Sequence, residues 1–123
     1  MSDFDLTQQI IGEAIYVHKS LGPGLLESTY KNCLYYRLKT KGLKVEKEKS
    51  LPVVFDGQFL ECGYRLDLVV EDQVIIELKS VKKLRDIHKA QMITYLKLSG
   101  YRIGLLLNFN VLKLVDGLIR LKY

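Results

Sequence analysis

The chain has little cysteine and no long apolar run, and both absences narrow the class of protein it can be. Only two of its 123 residues are cysteines, which is too few for a disulfide framework. We therefore interpret Cys33, on a predicted helix, and Cys62, on a predicted strand, as reduced, partly buried thiols that do not bind metal. No stretch approaches the roughly 18 apolar residues of a membrane helix, and the first residues lack the regions of a signal peptide. We expect a cytoplasmic protein.

The chain is also short, with no linker, repeat or low-complexity segment. Its 123 residues predict a single domain, spanning residues 1–123, that is large enough to bury a core. Nineteen basic residues against fourteen acidic ones give a net charge of +5. This modest excess favours an anionic partner without requiring one.

Three charged residues stand where buried strands would carry only Val, Leu and Ile. The sequence around them, residues 64–70 and 74–79, predicts an antiparallel hairpin of two strands. Because side chains two residues apart share a strand face, Glu77 and Lys79 point the same way. On the other face we expect the apolar residues Leu66, Leu68, Val70, Val74, Ile76 and Leu78.

The length of the hairpin loop decides whether the carboxylates of Asp67 and Glu77 meet. If residues 71–73 form the loop between paired Val70 and Val74, Asp67 lies opposite Glu77 on the same face. An even loop would move every side chain of one strand to the other face. We predict the odd loop or a bulge.

Two carboxylates this close predict a metal site. They would repel, and the pKa of one would rise sharply, unless a cation kept both ionised. Oxygen ligands suit Mg²⁺ or Mn²⁺ better than zinc, which favours His and Cys. Lys79 would hold a phosphate oxygen, or help to orient and deprotonate an attacking water. The alternative is that the two acids form ordinary ion pairs with Arg65 and Lys79 on a solvated face.

Further motif residues lie on both sides of the hairpin. In chain order the set is Gly24, Glu27, Tyr30, Asp67, Glu77, Lys79, Gln91 and Tyr95. Their order and spacing resemble the GxxExxY family within the PD-(D/E)xK nuclease superfamily, over nearly the whole chain. The superfamily's proline before the first acidic residue is replaced here by Leu66, a position at which relatives often lack it.

The resemblance implies an α/β (α+β) fold with a restriction-endonuclease-like core, a mixed β-sheet flanked by helices. It also implies a Mg²⁺- or Mn²⁺-dependent nuclease acting on nucleic acid, which we expect to be DNA. In relatives a helical Glu extends the metal shell, so Glu27 is expected to be a third metal ligand and catalytic residue. Gln91 is expected near the metal, where its amide would position a water, a carboxylate or a phosphate oxygen. One rival is a non-catalytic module that keeps the fold and binds nucleic acid or protein, and a second is a metal-stabilised structural protein.

The residues around Gln91 predict a helix with Asp86 as N-cap and Gly100 just past its end. Its core-facing stripe is predicted to comprise Ile87, Ala90, Gln91, Thr94, Tyr95 and Leu98. A glutamine in such a stripe needs hydrogen-bond partners, although Gln91 could instead lie solvated at the edge of the stripe. We expect Tyr30 and Tyr95 to pack beside the site, with the phenol of Tyr95 at its rim.

A basic segment follows Lys79 and leads into this helix. Its nucleic-acid-binding candidates are Lys82, Lys83, Arg85, His88 and Lys89. Their cations, with free backbone N–H groups at the helix N-terminus, would hold the phosphates flanking a scissile bond. Because the chain is small, we expect a homodimer or a partner protein to complete the substrate groove.

The remaining sequence predicts helices over about residues 6–21 and 26–41. His18 is expected to be packed rather than catalytic. Long strands are predicted near residues 44–55 and 58–70, joined by a tight turn at Asp56 and Gly57. The nearly all-apolar residues 103–107 predict a strand buried on both faces. A last hairpin is predicted from residues 112–115 into 118–121.

Overall fold

The computed structural model describes residues 2–123 of the chain. Helices α1 to α3 span Asp3–Leu21, Glu27–Thr40 and Asp86–Ser99. Strands β1 to β7 span Val45–Ser50, Val53–Phe55, Gln58–Leu60, Arg65–Val70, Val74–Lys79, Ile103–Asn108 and Leu118–Lys122. A 3₁₀ turn, Leu114–Gly117, precedes β7.

Five strands form one mixed sheet in the order β1-β4-β5-β6-β7. Neighbouring strands are antiparallel except β5 and β6, which run parallel and are joined through α3. The carboxyl ends of this parallel pair meet at Lys79 and Asn108. The remaining strands, β2 and β3, form a separate two-stranded ribbon. The predicted mixed sheet flanked by helices is confirmed.

The helices lie on opposite faces of the sheet because the strands are apolar on both. Helices α1 and α2 cover one face, packing on Leu68, Val70, Val74, Ile76, Leu78, Leu105 and Leu107. Helix α3 covers the other through Met92 and Leu96, which pack on Leu66, Val69 and Ile75. The prediction that Leu66 shares a face with Leu68 is therefore wrong. Strand β4 changes face at Asp67, where its regular backbone pairing with β5 stops.

Two expectations about buried residues are confirmed. The strand at residues 103–107 is buried throughout, as β6. His18 is buried, and its Nε2 lies 2.8 Å from the carbonyl oxygen of Val111, which suits a packed histidine. Both cysteines are free, but Cys62 is exposed and lies between strands, contrary to expectation, whereas Cys33 is half-buried on α2.

Two strand predictions need correction. The long strands predicted near 44–55 and 58–70 are each interrupted, because the chain leaves the main sheet after Ser50 to build the ribbon. The predicted turn at Asp56 and Gly57 is confirmed, since Phe55 pairs with Gln58 across it. The last hairpin is wrong: residues 112–115 form no strand, and β7 pairs instead with β6.

The predicted core-facing stripe of α3 is confirmed only for Tyr95 and Leu98, which are half-buried and pack against the core; it is wrong for Ile87, Ala90, Gln91 and Thr94. Met92 and Leu96 face the sheet, whereas Ile87, Gln91 and Thr94 are exposed. The N-cap is Arg85, and Asp86 is the first helical residue. Within residues 2–123, no helix combines the length and apolar character needed to cross a membrane.

Candidate metal centre

The β4–β5 hairpin has the predicted three-residue loop. Val70 pairs with Val74 and Leu68 with Ile76, so the next positions in this register are Asp67 and Glu77. Two loop residues, Glu71 and Asp72, adopt positive φ values of 54° and 52°, which complete the tight reversal. The odd loop brings the two carboxylates together.

At Asp67 and Glu77, hydrogen bonds from side chains replace the backbone hydrogen bonds between β4 and β5. The Asp67 amide donates to Oε2 of Glu77 at 2.8 Å, and the Leu78 amide donates to Oδ2 of Asp67 at 2.9 Å. Each carboxylate therefore binds an amide of the facing strand with one oxygen and keeps its other oxygen for another ligand. We call Asp67 and Glu77 the acid pair.

The environment of Glu77 favours its protonated form when no cation is bound. Burial is the main cause, and the negative charge of Asp67 adds to it; together they raise the Glu77 pKa to about 8. The amide of Asp67 and the nearby ammonium of Lys79 oppose the rise. The sequence predicted that two such carboxylates would repel and that the pKa of one would rise, and a bound cation would relieve this repulsion.

Lys31 is a residue at this site that the sequence reasoning missed. Its Nζ lies 3.7 Å from Oδ1 of Asp67 and 3.6 Å from Oε1 of Glu48. Glu48 occupies the β1 position in register with Asp67 and adopts a positive φ of 55°. One signal was available: Lys31 follows Glu27 by four residues, so both lie on the same side of α2.

Glu27 lies at the carboxyl end of β5, beside the residue that follows Lys79. Its Oε2 accepts a hydrogen bond from the Ser80 amide at 3.3 Å, and the Ser80 hydroxyl donates to the Leu25 carbonyl at 2.8 Å. Within residues 2–123, no three acidic, His or Cys side chains converge into a metal-holding group. The role of Glu27 as a third ligand stays a prediction.

Tyr30 is fully buried and fixes the chain in front of α2. Its hydroxyl donates to the Gly22 carbonyl at 2.6 Å and accepts from the Leu25 amide at 3.0 Å. Its ring stacks on Phe109 with the centroids 4.5 Å apart. Tyr30 therefore positions the first turn of α2, which carries Glu27.

Asn108 is a second residue that the sequence reasoning missed. It pairs with Lys79 across the parallel strands and is buried. Its side-chain oxygen accepts from the amides of Val81 at 3.1 Å and Asn110 at 3.2 Å, and its Nδ2 donates to the Val81 carbonyl at 2.9 Å. Asn108 thus fixes the segment after Lys79. A polar residue ending the apolar run 103–107 was the available signal.

The other candidates lie along α3. Gln91 is exposed and lines an open groove between α3 and the β2–β3 ribbon, where Tyr95 and Tyr64 also lie. Burial, and then the negative charge of Glu77, raise the Tyr95 pKa. The place of Tyr95 at the rim of the site stays a prediction.

The basic segment is exposed, as a phosphate-binding surface must be. Lys82, Lys83, Arg85 and Lys89 are exposed, and Lys89 lies 3.9 Å from the carboxylate of Asp86. His88 differs from them because its Nδ1 accepts a hydrogen bond from the Arg85 amide at 2.9 Å. His88 therefore helps to begin α3, and only its other ring nitrogen is available to a phosphate.

The acid pair fits Mg²⁺ or Mn²⁺. Its ligand atoms are hard carboxylate oxygens, and one oxygen of each side chain is free of the backbone amides. A bound divalent cation would offset the burial and repulsion that now keep Glu77 protonated. Lys79 adds a positive charge that a phosphate oxygen could contact.

Comparison with known proteins identifies the family. The family model of the PD-(D/E)XK nuclease superfamily matches residues 4–121. No curated protein and no solved structure is significantly similar to the chain. The match extends over almost the entire length and agrees with the five-stranded mixed sheet, flanked by three helices, of a restriction-endonuclease-like core. The chain therefore belongs to the PD-(D/E)XK nuclease superfamily.

Proposed function

We propose that this chain is a Mg²⁺- or Mn²⁺-dependent nuclease of the GxxExxY type that hydrolyses phosphodiester bonds in nucleic acid, with DNA as the expected substrate. The observation that carries this proposal is the convergence of Asp67 and Glu77, with Glu77 buried and its pKa raised to about 8. Membership of the nuclease superfamily supports it.

In this proposal the acid pair holds the cation. The cation, Mg²⁺ or Mn²⁺, would supply a Lewis acid that polarises the phosphate and lowers the pKa of an attacking water. On binding it, Glu77 would release its proton to solvent, so that both side chains would act as carboxylates. Lys31, 3.7 Å from Asp67, offsets part of the negative charge of the site.

Lys79 is proposed to stabilise negative charge on the phosphate as the attacking oxygen adds. Its segment is held from both sides, because its carbonyl accepts from the Phe109 amide at 2.9 Å and Asn108 fixes the following residues. This anchoring of the backbone fixes where the Lys79 side chain begins, so less reorganisation is needed for it to meet the developing charge. Glu27 would extend the metal shell through water, and Gln91 would position groups around the phosphate.

A cleavage assay tests the function. Labelled linear, circular and single-stranded DNA, and RNA, are incubated with Mg²⁺, Mn²⁺ or EDTA. We expect metal-dependent cleavage that Asp67→Asn and Lys79→Ala each reduce by at least roughly 100-fold, the scale of losing one transition-state contact. Asp116→Asn and Lys41→Ala are matched controls on exposed residues away from the site and should retain full activity.

A binding measurement separates the alternatives. Calorimetry with Mn²⁺ should show binding by the wild type and Lys79→Ala, and strongly weakened binding by Asp67→Asn. Cleavage that survives Asp67→Asn would contradict the proposal. Salt-sensitive binding of nucleic acid with no cleavage under any metal condition would establish the non-catalytic binding module instead.

A further inference from the structure

An open groove of about 630 Å³ lies between the β2–β3 ribbon and the outward side of α3. We call it the aromatic groove; its walls include Val54, Phe55, Tyr64, Ile87, Gln91 and Tyr95. Several of these side chains face water: Phe55 is 64% exposed, Tyr64 49% and Ile87 70%. A mostly apolar groove with a few polar groups is the usual form of a ligand-binding site.

The aromatic groove and Glu77 lie on the same side of the sheet. Tyr95 lines the groove and packs against the core cluster that contains Ile75. Because Ile75 and Glu77 are two residues apart on β5, they share the strand face that α3 covers. A ligand in the groove would therefore lie on the side of the sheet to which Glu77 points.

The charges around the groove are divided between its two walls. On the α3 side, residues 82–89 contain the four cations Lys82, Lys83, Arg85 and Lys89 against one carboxylate, Asp86. The ribbon side, residues 53–64, contains two carboxylates, Asp56 and Glu61, and no cation. An anionic backbone is thus favoured along the start of α3, while the ribbon offers rings and aliphatic carbon to uncharged groups.

We propose that the aromatic groove binds the unpaired bases of a single-stranded nucleic acid, so that the acid pair receives a single strand rather than a duplex. The inference rests on the proposed nuclease function and names its substrate class. Phe55 and Tyr64 supply exposed ring faces on which bases stack, and stacking tolerates any base sequence. The Gln91 amide can both donate to and accept from a base edge.

A duplex fits this surface poorly because its base faces are already covered by neighbouring base pairs. Stacking on a protein ring requires bases that are splayed out, as in single strands, loops and ends. The volume of about 630 Å³ lies within the roughly 300–1,000 Å³ of typical small-ligand sites. The groove therefore has room for unpaired bases.

Binding in EDTA tests the inference without cleavage. Fluorescence anisotropy compares a short single-stranded DNA, the same sequence as RNA, its DNA duplex, and an abasic strand of equal length and charge. We expect at least one single strand, DNA or RNA, to bind roughly fivefold or more tightly than the duplex and the abasic strand. Phe55→Ala and Tyr64→Ala should each weaken that binding by roughly fivefold or more.

Matched controls exist on the opposite face of the sheet. Phe4, on α1, is 58% exposed and Tyr36, on α2, is 64% exposed, so Phe4→Ala and Tyr36→Ala remove similar rings from another layer. Neither should change the affinity. Because Phe55 and Tyr64 are about half exposed or more, their alanine variants should fold, which circular dichroism checks. Tyr64→Phe should keep the wild-type affinity because it retains the ring.

Equal or tighter duplex binding, full affinity for the abasic strand, or unchanged affinity in the ring variants would overturn the inference. A groove variant that instead abolishes self-association in sedimentation would assign the groove to a second copy of the chain and also overturn it. Ring-dependent single-strand binding without cleavage would refute only the nuclease proposal. Cleavage that needs Asp67 but ignores both rings would refute only the groove proposal.

Discussion

Glu77 is the residue whose chemistry is most altered by its surroundings. It is only 6% exposed, and it lies against a second carboxylate. Burial and the charge of Asp67 raise its pKa to about 8 from an ordinary value of 4.5. In the folded, metal-free chain Glu77 therefore keeps a proton that the unfolded chain releases above pH 4.5.

This raised pKa predicts that the metal-free chain loses stability as the pH rises. Between these two pKa values the folded state binds a proton that the unfolded state has lost. The contribution of Glu77 to the free energy of unfolding is therefore fully present below about pH 4.5 and is lost as the pH approaches 8. The slope is at most about 1.4 kcal/mol per pH unit. Urea unfolding in EDTA across this range should show the decline, and Glu77→Gln should flatten it.

The control for this measurement is Asp116→Asn, which removes an exposed carboxylate and should keep the wild-type slope. Added Mn²⁺ should also flatten the decline, because the cation stabilises the ionised acid pair. A stability that is independent of pH from 5 to 8 in the wild type would refute the raised pKa.

The acid pair was predictable because it depends on local rules. Strand alternation and the three residues between Val70 and Val74 were enough to bring Asp67 and Glu77 together. Lys31 and Asn108 were missed because their contacts depend on how distant segments pack. Lys31 reaches the site only once α2 lies across β1 and β4, and Asn108 only once β6 lies beside β5.

Among the secondary-structure elements, α3 is the one for which the spacing of apolar residues predicted the wrong buried side. The helix has two apolar sides, and the sequence pattern does not say which one meets the sheet. The side containing Met92 and Leu96 packs on the core, whereas Ile87 faces the ribbon and Leu98 lies between the two. That ribbon was itself unpredicted, since residues 44–55 and 58–70 were interpreted as unbroken strands.

The packing of α3 on β6 depends on the absence of a side chain at Gly104. A Cβ there would overlap the sulfur and Cγ of Met92. We predict that Gly104→Ala lowers the free energy of unfolding by about 1 to 2 kcal/mol, since Met92 must move within a packed layer. Chemical denaturation measures the change.

Gly12→Ala is the matched control for that substitution. Gly12 lies in α1, and a Cβ there would meet no atom within 4 Å. The same substitution should therefore raise the free energy of unfolding by about 0.5 to 1 kcal/mol, because alanine favours a helix. Equal effects of the two substitutions would contradict the close approach at Gly104.

Over the whole molecule, the position of the charges is more informative than their sum. The net charge is +5, but cations also lie on the α2 side, where Lys39 and Lys41 are exposed at the end of that helix. Residues 82–89 differ because they lead from the candidate metal centre into α3 and border the aromatic groove. These cations are the ones expected to contact phosphates.

The salt dependence of binding tests this assignment. For single-stranded nucleic acid, the combined variant Lys82→Ala and Lys83→Ala should weaken affinity and reduce the slope of log affinity against log salt by roughly 0.7 per lysine. The combined variant Lys39→Ala and Lys41→Ala carries the same loss of charge on the opposite face and should keep the slope. Equal losses in both variants would mean that net charge alone governs binding.

The two acids at the centre have structural duties as well as the proposed chemical one. Asp67 and Glu77 each hold a backbone amide of the facing strand, whereas the Lys79 side chain makes no hydrogen bond to the part of the chain between residues 2 and 123. In a lineage that abandoned catalysis, selection for folding would still retain both acids. Lys79 would be substituted first, because folding does not require its side chain. Its replacement would therefore be the first sequence change expected in a descendant that only binds its partner.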